Sequence, residues 1–242
     1  LNSNHTESSR NTLKPVNLRS YGCSFIFGTD LHDDGREQEY PTPSQFTWPA
    51  LLAKSADLNY ICKARGGSGN LQILDRFLRD IHHAPKDFYV INWSWIDRFD
   101  YTDGSFDQND RWYTLGPITE GHHAKSYFKY FHSEIKDKFT SLTCISTALD
   151  ALLVAGSPFI MTYMDDLILD TRWHCPLSVS YLQLKIKSHL STFEGQNFLD
   201  FSKERNFEIS PTLHPLEPAH EAAANSIMPL FQKKLQLSEA KE

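Results

Sequence analysis

Short runs rich in apolar residues, each followed by a longer segment, constrain this chain most. The runs are Val16 to Tyr21, Leu58 to Cys62, Phe88 to Trp93, Phe159 to Met164 and Asn197 to Phe201. Each is too short for an ordinary helix and is expected to be a strand. Helical periodicity marks Trp48 to Ser55, Leu71 to His82, Ala124 to Ala155, Ser178 to Leu190 and about Pro218 to Leu235. Strands alternating with helices predict an α/β fold, a five-stranded, mainly parallel sheet between two helical layers. In such a sheet, ligands sit at the carboxyl ends of the strands.

One domain is expected over residues 16–236, flanked by polar tails at 1–15 and 237–242. Residues from about 97 to 123 break the rhythm with aromatics, Asp and Gly, and read as an insertion beside a site. Aromatics make up 13% of the 242 residues, enough to build a core. The net charge of −6, with no cluster of Lys and Arg, argues against a nucleic-acid partner. No apolar run approaches the ~20 residues of a bilayer span, so no membrane-spanning segment is expected. The chain starts at Leu1, which leaves an upstream targeting segment and the compartment open. Asn4-His5-Thr6 fits a glycosylation acceptor, a pattern frequent by chance.

Several motifs invite sharper readings than they bear. The cysteines at 23, 62, 144 and 175 form no CxxC pair and read as structural. The Gly66-Gly67-Ser68-Gly69-Asn70 turn lacks the Lys-Ser/Thr of a phosphate loop. His82-His83, His122-His123, His214 and His220 show no metal-binding spacing, so neither metal nor cofactor is expected. His220 reads as a packing or capping residue. Tyr163-Met164-Asp165-Asp166 matches a polymerase tetrapeptide, but in a chain too short and too acidic for template grip. Trp93, Trp95, Trp112 and Tyr113 suit either a sugar-stacking platform or simple packing.

The strand ends carry the chemistry. The first reads Tyr21-Gly22-Cys23-Ser24-Phe25, the second Arg65-Gly66-Gly67-Ser68-Gly69-Asn70, the third Asn92-Trp93-Ser94-Trp95 with Arg98 behind, and His214-Pro215 precedes the last helix. In this order, together with Trp48-Pro49, they resemble the SGNH (GDSL-type) hydrolases over positions 18 to 225. The nearest in flavour are SGNH-like proteins of bacteriophages, which leaves a virion-associated setting open.

The resemblance implies an SGNH/flavodoxin-like sandwich with Ser24 as nucleophile and His214 as its base. It implies an oxyanion site built from the Ser24 and Gly67 amides and the Asn70 side chain, with Asn92 or Ser94 as alternatives. The family's acid stands three residues before the histidine, where this chain has Pro211, so Glu217, Asp165 and Asp166 are the acid candidates. The implied activity is hydrolysis of a small acyl ester, a glycan acetate being one form. The rivals are a weakened SGNH fold kept as a carbohydrate-binding or particle component, and a transferase using the same Ser-His chemistry.

Overall fold

The computed structural model describes residue 15 and residues 17–35, 41–102 and 112–239. The expectations for the tail at 1–14, for Val16, for the glycosylation pattern and for residues 240–242 therefore lie outside the described residues, as does part of the insertion, 103–111.

Among the described residues, four parallel strands form the sheet in the order β2-β1-β3-β6. They are β1 (Asn17–Tyr21), β2 (Asn59–Cys62), β3 (Phe88–Trp93) and β6 (Phe159–Tyr163). β3 is buried along its whole length, as a central strand covered on both faces must be. Its side chains alternate between two cores. Phe88 and Val90 join Leu18 and Ile160 beneath α2 (Trp48–Ser55) and α8 (Glu217–Glu239). Tyr89, Ile91 and Trp93 join Tyr21, Met161 and Tyr163 beneath α3 (Asn70–Ile81), α5 (Glu134–Ala155) and α6 (Leu177–Lys187). Trp93, wholly buried there, is a core residue and no sugar platform.

The expected fifth strand is instead helix α7 (Phe198–Glu204). Asn197 caps it, its side-chain oxygen accepting from the Asp200 amide at 3.0 Å. Phe198 and Phe201, three residues apart, bury on one helical face. Where a fifth strand would lie, the sheet keeps one parallel bridge between Met161 and Leu190, with the Ser191 amide donating to the Met161 carbonyl at 2.8 Å.

The helix expected over Ala124 to Ala155 is two: α4 (His122–Tyr130) and α5, which restarts where Ser133 accepts from the Lys136 amide. α5 is the one helix among the described residues long and apolar enough to cross a membrane, contrary to the expectation that no run is. Half of its apolar window is buried, and it packs on α3 and α6 as a core helix. The insertion contributes an antiparallel hairpin, β4 (Phe99–Thr102) with β5 (Trp112–Leu115), and α8 runs past Leu235 to Glu239.

If Asn197 starts a helix, Asn197→Ala should lower stability by about 1 kcal/mol in urea unfolding, the usual cost of a lost cap. A solvent-facing strand residue would give almost no change.

Candidate active site

β1 ends at Tyr21, and through Gly22 the chain turns into a single helical turn, α1 (Ser24–Phe27). A side chain at Gly22 would bring its Cβ within 2.6 Å of Ile26 Cγ1 and 3.1 Å of the Asn92 carbonyl oxygen, so the tight turn requires glycine. Ser24 is the first residue of α1, and its amide has no intrahelical acceptor. The preceding Cys23 is buried and makes no side-chain cap.

Past α1 the chain passes through Gly28 and then Asp30, both at positive φ (83° and 78°). Asp tolerates this left-handed geometry better than most residues. It turns the Asp30 carboxylate toward the loop that carries His214. That loop closes on itself, the Ser210 amide donating to the His214 carbonyl at 2.9 Å and the His214 amide to Ser210 Oγ at 3.1 Å.

The two loops meet in a continuous line of contacts. His214 Nε2 lies 2.8 Å from Ser24 Oγ, and His214 Nδ1 lies 2.8 Å from Asp30 Oδ2. The hydroxyls of Ser210 and Thr212 also donate to Asp30 Oδ2. With Nδ1–H directed at the carboxylate, Nε2 is left as the acceptor facing the serine hydroxyl. Burial pushes the Asp30 carboxyl up, but the hydrogen bonds from Ser210, Thr212 and His214 outweigh it and hold it down at about 2. The His214 ring packs against Phe25 with centroids 5.1 Å apart, and Phe25 meets the edge of Trp95 at 5.4 Å.

No protein-family model matches the chain, and no curated protein matches it in sequence. Among solved structures, it resembles the esterase EstA from Pseudoalteromonas sp. at 12% identity, over 91% of this chain and 99% of that one, with a TM-score of 0.50. TesA matches at 12% identity over 90% and 99% with a TM-score of 0.51. A member of the lipolytic protein G-D-S-L family from Veillonella parvula matches at 11% identity over 89% and 98%, with a TM-score of 0.49. The fold is that of the SGNH (GDSL-type) hydrolases.

Within this SGNH fold, the carboxylate on the histidine is none of the three expected. Glu217 Oε1 instead accepts from the His32 amide and ring at 2.9 and 2.8 Å, tying α8 to the Asp30 loop. Asp165 caps the short turn after β6, accepting from the amides of Leu167 and Ile96 at 3.0 and 3.1 Å. Asp166 accepts from the Asn197 side chain. Both aspartates of the tetrapeptide thus have structural partners at the end of β6.

The side-chain oxyanion donors expected from sequence are all buried, and the amides of Asn70 and Asn92 donate to other partners. Asn70 Nδ2 donates to the Ser94 carbonyl at 3.2 Å and to Ser141 Oγ at 3.0 Å, while its Oδ1 accepts from the Ser94 amide at 2.7 Å. Asn70 therefore pins the loop after β3. Asn92 is buried within the sheet and donates to Thr162 Oγ1 at 2.7 Å. Ser94 is wholly buried.

Gly67, by contrast, sits exposed at φ 77°, with nothing near where a side chain would stand. Its turn lies beside the serine: the Arg65 amide donates to the Gly22 carbonyl at 3.2 Å, and a Cβ on Gly66 would lie 4.0 Å from Thr29 Oγ1.

His220 caps a helix other than its own. Its Nδ1 accepts from the Trp48 amide at 3.1 Å, and burial holds its pKa down at about 3, in the neutral form a cap needs. All four cysteines are free thiols. Trp112 donates to Asp75 on α3 at 2.9 Å, and Tyr113 stacks on Tyr101 within the hairpin.

Asp30 is held below its ordinary value of 3.8 at about 2, so its contribution to stability is complete above 3.8 and is lost as pH falls through 2. Asp30→Asn should therefore be less stable than the native chain at pH 6. Their urea midpoints should converge as pH approaches 2, and a constant gap would contradict this environment for Asp30.

Proposed function

We propose that this protein is a serine ester hydrolase that cleaves small acyl esters through an acyl-enzyme on Ser24. The observation that carries the reading is the contact line from Ser24 Oγ through His214 to Asp30 Oδ2. It supplies the three parts such chemistry needs: a nucleophile, a base within hydrogen-bond reach, and a carboxylate that orients the base. The likeness to EstA, an esterase inhibited by monoethylphosphonate, supports the same class.

In the first step His214 Nε2 takes the Ser24 proton as Oγ attacks the ester carbonyl carbon. The carbonyl π pair moves onto oxygen, where the amides of Ser24 and Gly67 receive the charge. On collapse the C–O bond to the alcohol breaks, and His214 returns the proton to the leaving oxygen. Water then repeats the sequence with His214 as base, releasing the acid and restoring Ser24. Asp30 keeps the imidazole oriented and stabilises its charged form, without itself taking the proton.

The substrate class, a small acyl group on an alcohol or a glycan, follows from the family resemblance. The binding-module alternative rests on the missing carboxylate before His214 and on the Asn92-Trp93-Ser94-Trp95 end of β3, which departs from the family's Gly-x-Asn-Asp turn; Asp30 in contact with Nδ1 speaks against the first ground. Water as acceptor distinguishes the proposal from a transferase.

The native chain should label with a fluorophosphonate and hydrolyse a chromogenic acetate ester, while Ser24→Ala and His214→Ala should do neither measurably. Asp30→Asn should lower kcat by about 10³–10⁴-fold, as loss of a triad acid does. A folded native chain that resists the probe would overturn the assignment.

A further inference from the structure

We propose that the β4–β5 hairpin is a positioning element for the oxyanion turn, with Asp100 as the residue that clamps it. The inference rests on the serine-hydrolase reading and assigns the insertion a role within that site.

α3 begins immediately after the glycine turn, and its N-cap is Gly69, which has no side chain to satisfy the first amides. Asp100 supplies the missing cap from 31 residues away, accepting from the Gly69 amide at 3.0 Å and from the Gln72 amide at 2.9 Å. The fit is close: a Cβ on Gly69 would lie 2.5 Å from Asp100 Oδ2 and 2.6 Å from Oδ1. Thr114, the register partner of Asp100 on β5, donates to Oδ1 at 2.6 Å, so both strands of the hairpin hold the carboxylate.

A second contact from the same segment fixes the neighbouring residue. Arg98 Nη1 donates to the Ser68 carbonyl at 2.9 Å, and its guanidinium lies over Trp95 at 4.8 Å. Ser68 is wholly buried. Its Oγ accepts from Arg76 Nη2 at 2.7 Å and lies 2.8 Å from the Arg65 carbonyl. On the other side of the turn, the Arg65 amide is anchored on Gly22.

Between these anchors stand Gly66 and Gly67. Two glycines have the widest backbone freedom of any pair, yet an oxyanion donor works only if it is held in place before charge develops. A local Ser or Asp cap at position 69 would have stabilised α3 alone. A cap reaching across from the hairpin also ties the turn to the loop between β3 and β4 that carries Trp95 and Arg98, and Trp95 reaches His214 through Phe25.

The test compares native protein with Asp100→Ala, Asp100→Asn and Thr114→Val, each shown to be folded by circular dichroism and thermal melting. Three readouts are taken: steady-state hydrolysis of the acetate ester, the rate of fluorophosphonate labelling, and amide hydrogen exchange over residues 66–69 by mass spectrometry.

Asp100→Ala should lower kcat and the labelling rate by about 10–100-fold, short of the full loss of an oxyanion donor, with KM within about twofold. Exchange over 66–69 should quicken. Asp100→Asn, which keeps one acceptor oxygen, should fall between Ala and native, and Thr114→Val should show a smaller shift in the same direction. If Asp100→Ala does not fold, the other two variants carry the same criteria.

A folded Asp100→Ala with native kcat, or with KM raised alone, overturns the positioning role, as does unchanged exchange over 66–69. A native chain that neither labels nor turns over fails the hydrolase reading instead, and is recognised before any variant is made.

Discussion

Asp30 Oδ2 gathers three donors, from Ser210, Thr212 and His214, onto one carboxylate oxygen. Asp30 and His214 stand 184 residues apart, so this cluster joins the first loop of the fold to one of its last. The loop's own hydrogen bonds fix its shape, and the carboxylate fixes it against the first loop. The second tie between these regions, Glu217 to His32, is more exposed and correspondingly weaker. The buried cluster therefore defines where the imidazole sits, and through it the geometry at Ser24.

The sheet beneath serves this arrangement by its register. Asn92 pairs with Thr162 across β3 and β6, and their side chains bond on the α8 face. On the same face Ser20 meets the Tyr60 hydroxyl at 2.9 Å. Cross-strand polar contacts thus lie among the apolar layers near the mouth of the sheet. Such pairs favour one register of β3 against β6 and of β1 against β2. The register of β1 against β3 in turn decides whether Gly22 fits below the Asn92 carbonyl.

How much of this could be read from sequence differed from element to element. Strands β1, β2, β3 and β6 were readable because short, strongly apolar runs between helical segments have few alternatives. The segment from Asn197 was misread because Phe-Leu-Asp-Phe suits either period; its cap decides for helix, and that bond depends on local geometry. Ser24 and His214 were readable as a pair from strand-end position and motif order, and the structure brings their side chains together. Asp30 was not. Asp30, Asp33 and Asp34 crowd one loop, and only the turn after Gly28 selects among them. The hydroxyls of Ser210 and Thr212, spaced four and two residues before His214, were a faint signal that something anionic lay opposite. Asn70 was expected to face the site, but its buried contacts with Ser94 and Ser141 could not be foreseen from a Gly-rich turn.

Ser24 and Asp30 ride on the same short stretch of chain, whereas His214 arrives alone on a loop anchored by α8. The constellation therefore divides mechanically into a rigid pair and a single detachable member. A local opening that frees the 209–215 loop from the body would withdraw the imidazole and leave the serine turn, the glycine turn and the sheet undisturbed. Such a protein would lose its function at a lower free-energy cost than its fold, and fluctuations of one small C-terminal loop, rather than global unfolding, would set its working temperature ceiling.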